Sequence, residues 1–553
     1  AMDEVNLKRK VDGGANGTDA DNSEVGNYVK KHKISDSTDS VEGNIPSNAD
    51  NASNESGPNC KTSNQTEALD LTTDNHVSKS VVTNCTVPEK VCDDKSLDSP
   101  KKTIELNEIE TEAKEESKVE DESQNGDVAA VETEPRDEKT VELSKDAGVL
   151  LIAGELNWDI IGKRDKTDQS KRLWSHHRLS CLKGIKIKYV ASHCSGSHSI
   201  AIADSGLTYS WGKNDRGQIG SGDTVTRALP EVIEELREFH MVAAACGKHH
   251  SLCITDRGSV FAFGDNKMGQ CGLGNQHPII HTPSRIKFKG PPIIKAACGV
   301  EFSMILDNSG SLYSFGCPEY GQLGHNTDGK YFATSNKLAF SCELVPRKLL
   351  VYVDKAKDGS MDPVSDVSIT DIACGNNHTV AVDSKKRCYT WGFGGYGRLG
   401  HNEPKDEMLP RLIKLFDGPN RGAKAVFAGA NFSLAISEHG CPYIFGQAKR
   451  SGEANMYPKP VQDLQGWNVN CVGCSQTSIM VSADDTIIAW GPSPTHGEQG
   501  FGPHKKTSPR PEEVRSLEGI HAFQIAMGYG HSLIIARDES AQDKELLEKI
   551  PVY

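Results

Sequence analysis

The chain has 553 residues, of which 76 are acidic and 62 basic, and its net charge is −14 at pH 7. No stretch approaches the ~18 consecutive apolar residues of a transmembrane helix, and the N-terminus is not a secretory signal. The 16 cysteines follow no disulfide spacing, which favours a reducing compartment, the cytosol and nucleus.

The first segment in chain order is an acidic tail, residues 1–145. It holds 33 acidic and 17 basic residues, whereas the remainder holds 43 and 45, so the negative charge belongs to the tail. The tail is rich in Asn, Ser, Thr, Asp and Glu and almost devoid of aromatic residues. Such a composition cannot bury enough apolar surface to offset chain entropy, and we expect the tail to be disordered.

Two basic clusters and a phosphorylation pattern stand out in the tail. The clusters resemble a two-part nuclear import signal, although solvated surface charge is the alternative; they consist of Lys8, Arg9, Lys10, Lys30, Lys31 and Lys33. Ser99-Pro100-Lys101-Lys102 matches a proline-directed kinase pattern, which predicts phosphorylation at Ser99. Ser508-Pro509-Arg510 is a weaker copy of that pattern.

From residue 146 to 540 a block of about 52 residues recurs seven times, a period typical of propellers. Its first half is Cys/Ala-Gly-x-x-His-Ser/Thr, and its second half is an aromatic residue followed by Gly, as in Trp211-Gly212, Trp391-Gly392 and Trp490-Gly491. The histidine position reads His198, His250, Phe302, His378, Phe432, Thr477 and His531.

The sequence contains seven first halves but only six second halves that follow them. The seventh second half precedes all the repeats in the chain, at Ala153-Gly154. Short apolar runs alternate with Gly-containing turns, which indicates β-strands joined by hairpins. We therefore predict an all-β, seven-bladed β-propeller closed by an N-terminal strand. In that ring the strand at Leu150–Gly154 pairs into the blade that contains Ile525–Ile535. Residues 541–553 form a C-terminal extension.

The repeated histidine is a structural position in this interpretation, not a catalytic or metal-binding one. Phe302, Phe432 and Thr477 take the same place, and a residue needed for chemistry would not tolerate Phe. A packing position with a hydrogen bond inside the blade would. The same reasoning gives a structural role to Trp211, Trp391 and Trp490.

The cysteines follow the repeat in the same way. Cys194, Cys246, Cys298 and Cys374 occupy one equivalent position, which predicts small buried core residues. Cys471 and Cys474 have ligand-like spacing but no second pair, so we predict neither a metal nor a cofactor.

A third element, Asn-x-x-Gly-Gln-hydrophobic-Gly, follows the aromatic-Gly pair, as at Asn214–Gly220 and Asn266–Gly272. With it, residues 147–538 resemble the repeats of the regulator-of-chromosome-condensation family. The stretches Asn157–Gly162, Phe315–His325 and Trp391–His401 depart from the generic repeat and are most similar to the family's second, telophase-disc branch.

This resemblance implies a regulator that binds small GTPases of the Rac or Ral type, by nucleotide exchange or by holding the nucleotide-free form. It also implies association with chromosomes, centromeres and spindle microtubules, and roles in mitosis, cytokinesis, adhesion and migration. The implied partners include microtubules, chromosomal passenger proteins and chromatin. The implied locations are nucleus and nucleolus in interphase, centromeres, spindle midzone and cytoskeleton in mitosis, and partly the cytoplasm. The alternative is a chromatin or microtubule adaptor without exchange activity.

We expect a monomeric binding protein, not an enzyme. The sequence has no Gly-rich phosphate loop, nucleophile elbow or clustered carboxylate pair.

One repeat is longer than its neighbours. Phe302 and His378 are 76 residues apart where the preceding intervals are 52, which predicts a protruding β-hairpin near residues 340–370 with a turn at Asp358-Gly359. Long loops on rigid scaffolds often carry function. We therefore expect an exposed partner-binding tip formed by Lys355, Ala356, Lys357, Asp358, Gly359, Ser360, Met361 and Asp362.

Overall fold

The computed structural model describes residues 146–158, 172–449, 453–492 and 496–553. These residues form the predicted seven-bladed β-propeller, in which each blade is a sheet of four antiparallel strands and the sheet of blade 4 is extended by two more. The predictions for the tail (disorder in residues 1–145, the import clusters from Lys8 to Lys33, and phosphorylation of Ser99) lie outside the described residues.

The strands are numbered in chain order, and the first two belong to the last blade. These are β1 (Val149–Glu155) and β2 (Arg172–Arg178). Blade 1 contains β3 (Ile187–Ser192), β4 (His198–Ala203), β5 (Thr208–Gly212) and β6 (Arg227–Val232). Blade 2 contains β7 (Met241–Cys246), β8 (His250–Thr255), β9 (Val260–Asp265) and β10 (Ile279–Arg285). Blade 3 and its inserted hairpin contain β11 (Ile293–Cys298), β12 (Phe302–Asp307), β13 (Leu312–Gly316), β14 (Lys330–Thr334), β15 (Lys337–Phe340) and β16 (Glu343–Lys348).

A second hairpin precedes blade 4 and consists of β17 (Val353–Lys355) and β18 (Met361–Pro363). Blade 4 contains β19 (Ile369–Cys374), β20 (His378–Asp383), β21 (Cys388–Gly392) and β22 (Glu407–Leu412). Blade 5 contains β23 (Ala423–Ala428), β24 (Phe432–Ser437), β25 (Pro442–Gly446) and β26 (Asn455–Pro460). Blade 6 contains β27 (Val469–Cys474), β28 (Ile479–Ala483), β29 (Thr486–Trp490) and β30 (Glu512–Glu513). The last strands are β31 (Ala522–Met527) and β32 (His531–Ala536), and helix α1 (Ala541–Glu548) follows them.

The first strand of each blade lies at the centre of the ring. These strands contact one another in a closed circle that runs β31, β3, β7, β11, β19, β23, β27 and back to β31. The apolar core consists of clusters between neighbouring blades, so that each blade is stabilised by the next. This arrangement leaves two faces of loops and a central channel.

The ring is closed as predicted. β1 pairs with β32 in an antiparallel ladder that runs from Val149 opposite Ala536 to Gly154 opposite His531. Gly154 therefore stands opposite the histidine position, as Gly212 stands opposite His198 in blade 1. Gly212 has a φ of 106°, and a Cβ there would lie 2.5 Å from the Cα of His198. Glycine is needed at this position in the repeat for that reason.

The assignment of Thr477 to the histidine position is wrong. The β28–β29 ladder places Ile479 opposite Trp490, which brings Ser478 opposite Gly491. A Cβ on Gly491 would lie 2.9 Å from the Cα of Ser478. The repeat therefore carries Ser478 at this place in blade 6, four residues after Cys474 as in the other blades.

The prediction of one hairpin in the long repeat is also corrected, because the extra residues form two. β16 must pair with β13 to complete blade 3, so the surplus chain flanks it on both sides. β14 and β15 form one hairpin before it, and β17 and β18 form the other after it. The segment after residue 363 does not return as a hairpin arm, since Ile369–Cys374 is the first strand of blade 4.

Candidate functional site

The histidine positions join neighbouring blades, whereas a bond inside each blade was expected. The imidazole Nε2 lies 2.9 Å from the hydroxyl of the next blade in three cases, His198 with Ser251, His250 with Ser303 and His378 with Ser433. His531 makes the same contact with Ser199 at 2.8 Å, across the closure. These four histidines are completely buried.

Burial keeps these imidazoles neutral, because a charged ring would lose its hydration without gaining a counter-ion. Desolvation lowers the pKa of His250 and of His531 to about 3 and that of His198 and His378 well below the usual value. Trp211 and Trp391 are also buried, at 1% and 0% exposure, and Trp490 is 8% exposed. The indole Nε1 of Trp391 donates to the carbonyl of Gln322 at 2.9 Å. These groups lie in the core and present no chemistry to a ligand.

The cysteines of the repeat lie at the inner ends of the first strands. Cys194, Cys246, Cys298 and Cys374 are all buried, and burial raises the pKa of each thiol. Among the residues that the structure describes, no group of three or more His, Cys, Asp or Glu side chains could hold a metal ion. Within the same residues, no helix has the length and apolar character needed to cross a membrane.

One face of the ring presents a polar depression at the mouth of the channel. Its cavity of about 300 Å³ is lined by side chains that include Lys213, Lys248, His249, Asn376 and Gln476. Burial and the charge of Lys248 lower the pKa of His249 to about 4, so this ring is neutral at pH 7. The Lys213 ammonium pairs with Asp215 at 3.2 Å, so the site offers the Lys248 ammonium among neutral donors and acceptors.

Backbone hydrogen bonds between blades hold the rim of this mouth. The N–H of Lys248 donates to Gly299 at 3.3 Å, that of Val300 to Asn376 at 3.0 Å, and that of Tyr529 to Gly196 at 2.9 Å. These bonds make the rim a rigid platform.

The hairpin formed by β14 and β15 arises on the same face. It lies in the connection between the third and fourth strands of blade 3. In an antiparallel blade this connection leaves the sheet at the same end as the turn between the first and second strands, which forms the channel mouth. All five residues of β14 are exposed, and the two strands pair only with each other. Tyr331, Phe332 and Leu338 are 50%, 73% and 46% exposed, so the hairpin presents uncovered apolar side chains on the face that bears the mouth.

This hairpin was missed in the sequence, although a signal was present. Residues 330–334 and 337–340 are two short runs rich in aromatic and apolar residues, and Ser335-Asn336 separates them. Such a pattern is typical of a tight β-hairpin. The base is fixed by a hydrogen bond from the N–H of Ser341 to the carbonyl of Gly329 at 2.8 Å.

The predicted partner-binding residues lie on the other hairpin, at the outer edge of blade 4. β17 pairs with β22 in parallel, so β17 and β18 extend that sheet sideways. Lys357, Asp358, Gly359, Ser360, Met361 and Asp362 are exposed as expected.

Lys355 and Ala356 are partly buried, in contrast to the prediction. The ammonium of Lys355 forms ion pairs with Glu403 at 3.2 Å and Glu407 at 3.6 Å, next to Arg411. These contacts fix Lys355 to blade 4, because the β17–β22 pairing directs its side chain along the blade. Six of the eight predicted residues are therefore accessible to a partner.

Arg398 is a buried cation near the mouth that the sequence analysis overlooked. It stands where three other repeats have Gln218, Gln270 and Gln322, and only 2% of it is exposed. Its guanidinium lies 4.6 Å from the ring centre of Phe393 and 5.7 Å from that of Tyr396, and Nη1 donates to the carbonyl of Ala430 at 3.3 Å. Desolvation lowers its pKa to about 10. The signal was the departure of Gly397-Arg398-Leu399-Gly400 from the Gly-Gln pattern.

Ser508, the weaker phosphorylation pattern, is 5% exposed. Its hydroxyl donates to the carbonyl of Arg510 at 2.8 Å and its N–H to the side chain of Gln499 at 3.1 Å. A kinase cannot reach this hydroxyl while blade 6 is folded.

Comparison with known proteins gives consistent matches. A family model described as an RCC1-like domain matches residues 149–534. Protein RCC2 of Mus musculus is 51% identical over 436 residues, which cover 77% of this chain and 84% of the relative. Protein RCC2 of Homo sapiens is 51% identical over 439 residues, with the same coverage.

Two solved structures share the fold. Yeast RCC1 (Prp20) in complex with Kap60 aligns with a TM-score of 0.58 and 19% identity, over 76% of this chain and 98% of that one. Prp20p from Saccharomyces cerevisiae, described with its binding properties to Gsp1p and histones, aligns with a TM-score of 0.56 and 20% identity. That alignment covers 74% of this chain and 95% of Prp20p. At these identities the structures support the fold alone.

Proposed function

We propose that this chain, which belongs to the family of proteins with an RCC1-like domain, regulates a small GTPase that binds to the channel-mouth face. The observation that carries the proposal is the β14–β15 hairpin, which exposes Tyr331 and Phe332 on the same face of the ring as the polar depression. Exposed apolar side chains on a fixed scaffold are typical of an interaction site. A wedge of this kind can enter the nucleotide-binding region of a GTPase.

The partner class follows from the resemblance of the repeats, which implies a Rac- or Ral-type GTPase. The mouth supplies Lys248 for an acidic group of the partner, and the hairpin supplies apolar contact. Long-range attraction affects the rate of encounter, whereas the buried apolar contacts determine most of the affinity.

We further propose a second contact at the tip of the β17–β18 hairpin, from Lys357 to Asp362. It lies on a different connection of the ring, after β16 rather than before it. Exposed charges there contribute little individually. This tip is therefore assigned a supporting role.

The cellular part of the proposal rests on the same resemblance. It includes association with chromosomes, centromeres and spindle microtubules, action in mitosis and cytokinesis, and effects on adhesion and migration. It also includes a nuclear and nucleolar location in interphase and import through the Lys8 to Lys33 clusters. An adaptor for chromatin or microtubules without exchange activity is the competing function.

The test is calorimetric binding of nucleotide-free, GDP-loaded and GTP-loaded Rac and Ral to the full chain. Replacing residues 330–340 with a short Gly-Ser turn should weaken binding at least tenfold without changing the melting temperature, because the hairpin strands pair only with each other. The matched control replaces Lys357 to Ser360 and should lower affinity less than threefold. Equal binding by the β14–β15 variant and the intact chain would refute the assigned face. Absence of binding in all nucleotide states would favour the adaptor.

A further inference from the structure

Two cysteines face each other at the base of the β14–β15 hairpin. β13 and β16 are antiparallel partners, and Gly316 stands opposite Glu343. Cys317 follows Gly316 and Cys342 precedes Glu343, so the next step of the ladder places these cysteines across from each other. The N–H of Cys317 donates to the carbonyl of Glu301 at 2.9 Å, not to Cys342. The Cβ atoms of such a pair without mutual backbone bonds approach each other closely.

The two thiols differ in their surroundings. Cys317 is 1% exposed, whereas Cys342 is half-buried and its Sγ lies 3.9 Å from the Sδ of Met268. The contact with Cys342, and burial next, raise the pKa of Cys317. The neighbouring thiol of Cys317 lowers the pKa of Cys342. A partly exposed thiol of lowered pKa beside a buried thiol is the arrangement found at redox-active cysteine pairs.

We propose that Cys317 and Cys342 are a reversible redox pair that forms a disulfide at the base of the β14–β15 hairpin when a peroxide oxidises Cys342. Cross-strand neighbours fall within the Cα and Cβ separations that a disulfide requires. Both residues are free thiols in the structure. A transient disulfide of this kind is compatible with a reducing compartment.

The reaction balances with hydrogen peroxide as the oxidant. The Cys342 thiolate attacks one peroxide oxygen, the O–O bond breaks, and a sulfenic acid and water form once a proton is taken up. The Cys317 sulfur then attacks the Cys342 sulfur, the S–O bond breaks, and a second water leaves. Two thiols and one peroxide thus give one disulfide and two waters, and a dithiol reductant reverses the change.

The disulfide would enclose residues 318–341, which carry the hairpin. Lys330 and Lys337 are exposed inside this segment, so trypsin can cut between the two cysteines. A cut there separates the chain into two pieces in detergent unless the disulfide joins them.

The experiment treats the full chain with equimolar hydrogen peroxide, blocks free thiols, and applies brief trypsin digestion. Non-reducing electrophoresis should show pieces cut after Lys330 or Lys337 still joined, and reduction should separate them. Cys342→Ser should abolish the joining. Cys441→Ser, which removes another partly buried cysteine, should not. Separation of the pieces without reduction, or joining in Cys342→Ser, would overturn the proposal.

A second measurement keeps the proposal testable if a variant folds poorly. The rate of alkylation of Cys342 by iodoacetamide, followed by mass spectrometry from pH 6 to 10, should rise at lower pH than the rate for Cys441, whose pKa is raised by burial. Cys317→Ala should move the Cys342 profile to higher pH, because the neighbouring thiol that lowers its pKa is lost. An unchanged profile in Cys317→Ala would show that the thiols do not act as a pair.

Discussion

At the scale of single residues, the histidine position of the repeat accepts side chains of different chemistry that fill the same place in the blade. His198, His250, His378 and His531 bond a hydroxyl of the next blade, while Phe302 and Phe432 fill the same space with apolar rings. At the junction of blades 6 and 7, Ser478 takes the histidine position. There His176 of β2 lies 3.1 Å from the hydroxyl of Ser532. The sequence could show that this place is structural, because Phe is accepted. It could not show the partner, which lies about one repeat away and depends on how blades pack.

The burial of these histidines predicts how the stability of the fold depends on pH. Burial holds the pKa of His250 near 3 in the folded state, against 6.5 for the free side chain. Its contribution is therefore complete above pH 6.5 and falls by about 1.4 kcal/mol per pH unit below it. His250→Phe should remove that dependence.

Between pH 7 and pH 5, the unfolding free energy of His250→Phe should fall by about 2 kcal/mol less than that of the intact chain. Urea denaturation at both pH values measures this. His250→Ala, which leaves a cavity, should cost about 2–4 kcal/mol at pH 7. A His250→Phe variant with the same pH dependence as the intact chain would show that His250 does not titrate as described.

At the scale of elements, the strands of the blades were predictable but the additions to them were not. The first three strands of the blades carry motifs that recur around the ring, whereas β14, β15, β17 and β18 occur once. The excess length was therefore visible, but its division into two hairpins was not, because it depends on β16 completing blade 3. The position of Lys355 likewise depends on Glu403 and Glu407, which lie before and at the start of β22.

Helix α1 is the element whose contribution can be tested most simply. Leu547 and Ile550 are 3% and 4% exposed and pack against the core of blade 7. Leu547→Ala should therefore lower the unfolding free energy by about 2–4 kcal/mol, measured by urea denaturation. Glu545→Ala, which changes an exposed residue of the same helix, is the control. Equal stability of the two variants would mean that α1 does not pack on the ring.

At the scale of the whole molecule, the N-terminal and C-terminal strands of the propeller form one blade together. β1 and β2 complete the blade begun by β31 and β32. Residues after α1 then return to β2, since the N–H groups of Arg178 and Tyr553 bond the carbonyls of Pro551 and Arg178 at 2.8 Å. The side chain of Gln524 also bonds both backbone groups of Val190 at 3.0 Å, across the junction of blades 7 and 1. The displaced half-repeat in the sequence sufficed to predict the closure but not these supports.

Deleting residues 147–156 should open this ring. The deletion removes β1 and exposes the edge of β32, and such edges promote aggregation. The melting temperature should fall by more than 10 °C, and light scattering should increase on heating. An unchanged melting temperature would disprove closure by β1.

The central claim is that a small GTPase binds the face bearing the channel mouth and the β14–β15 hairpin. Hydrogen exchange of the full chain, with and without nucleotide-free Rac or Ral, tests it most directly. Slower exchange in residues 330–340 and in the turn around Lys248 is the predicted result. Slower exchange confined to the opposite loops, with the hairpin unchanged, would contradict it.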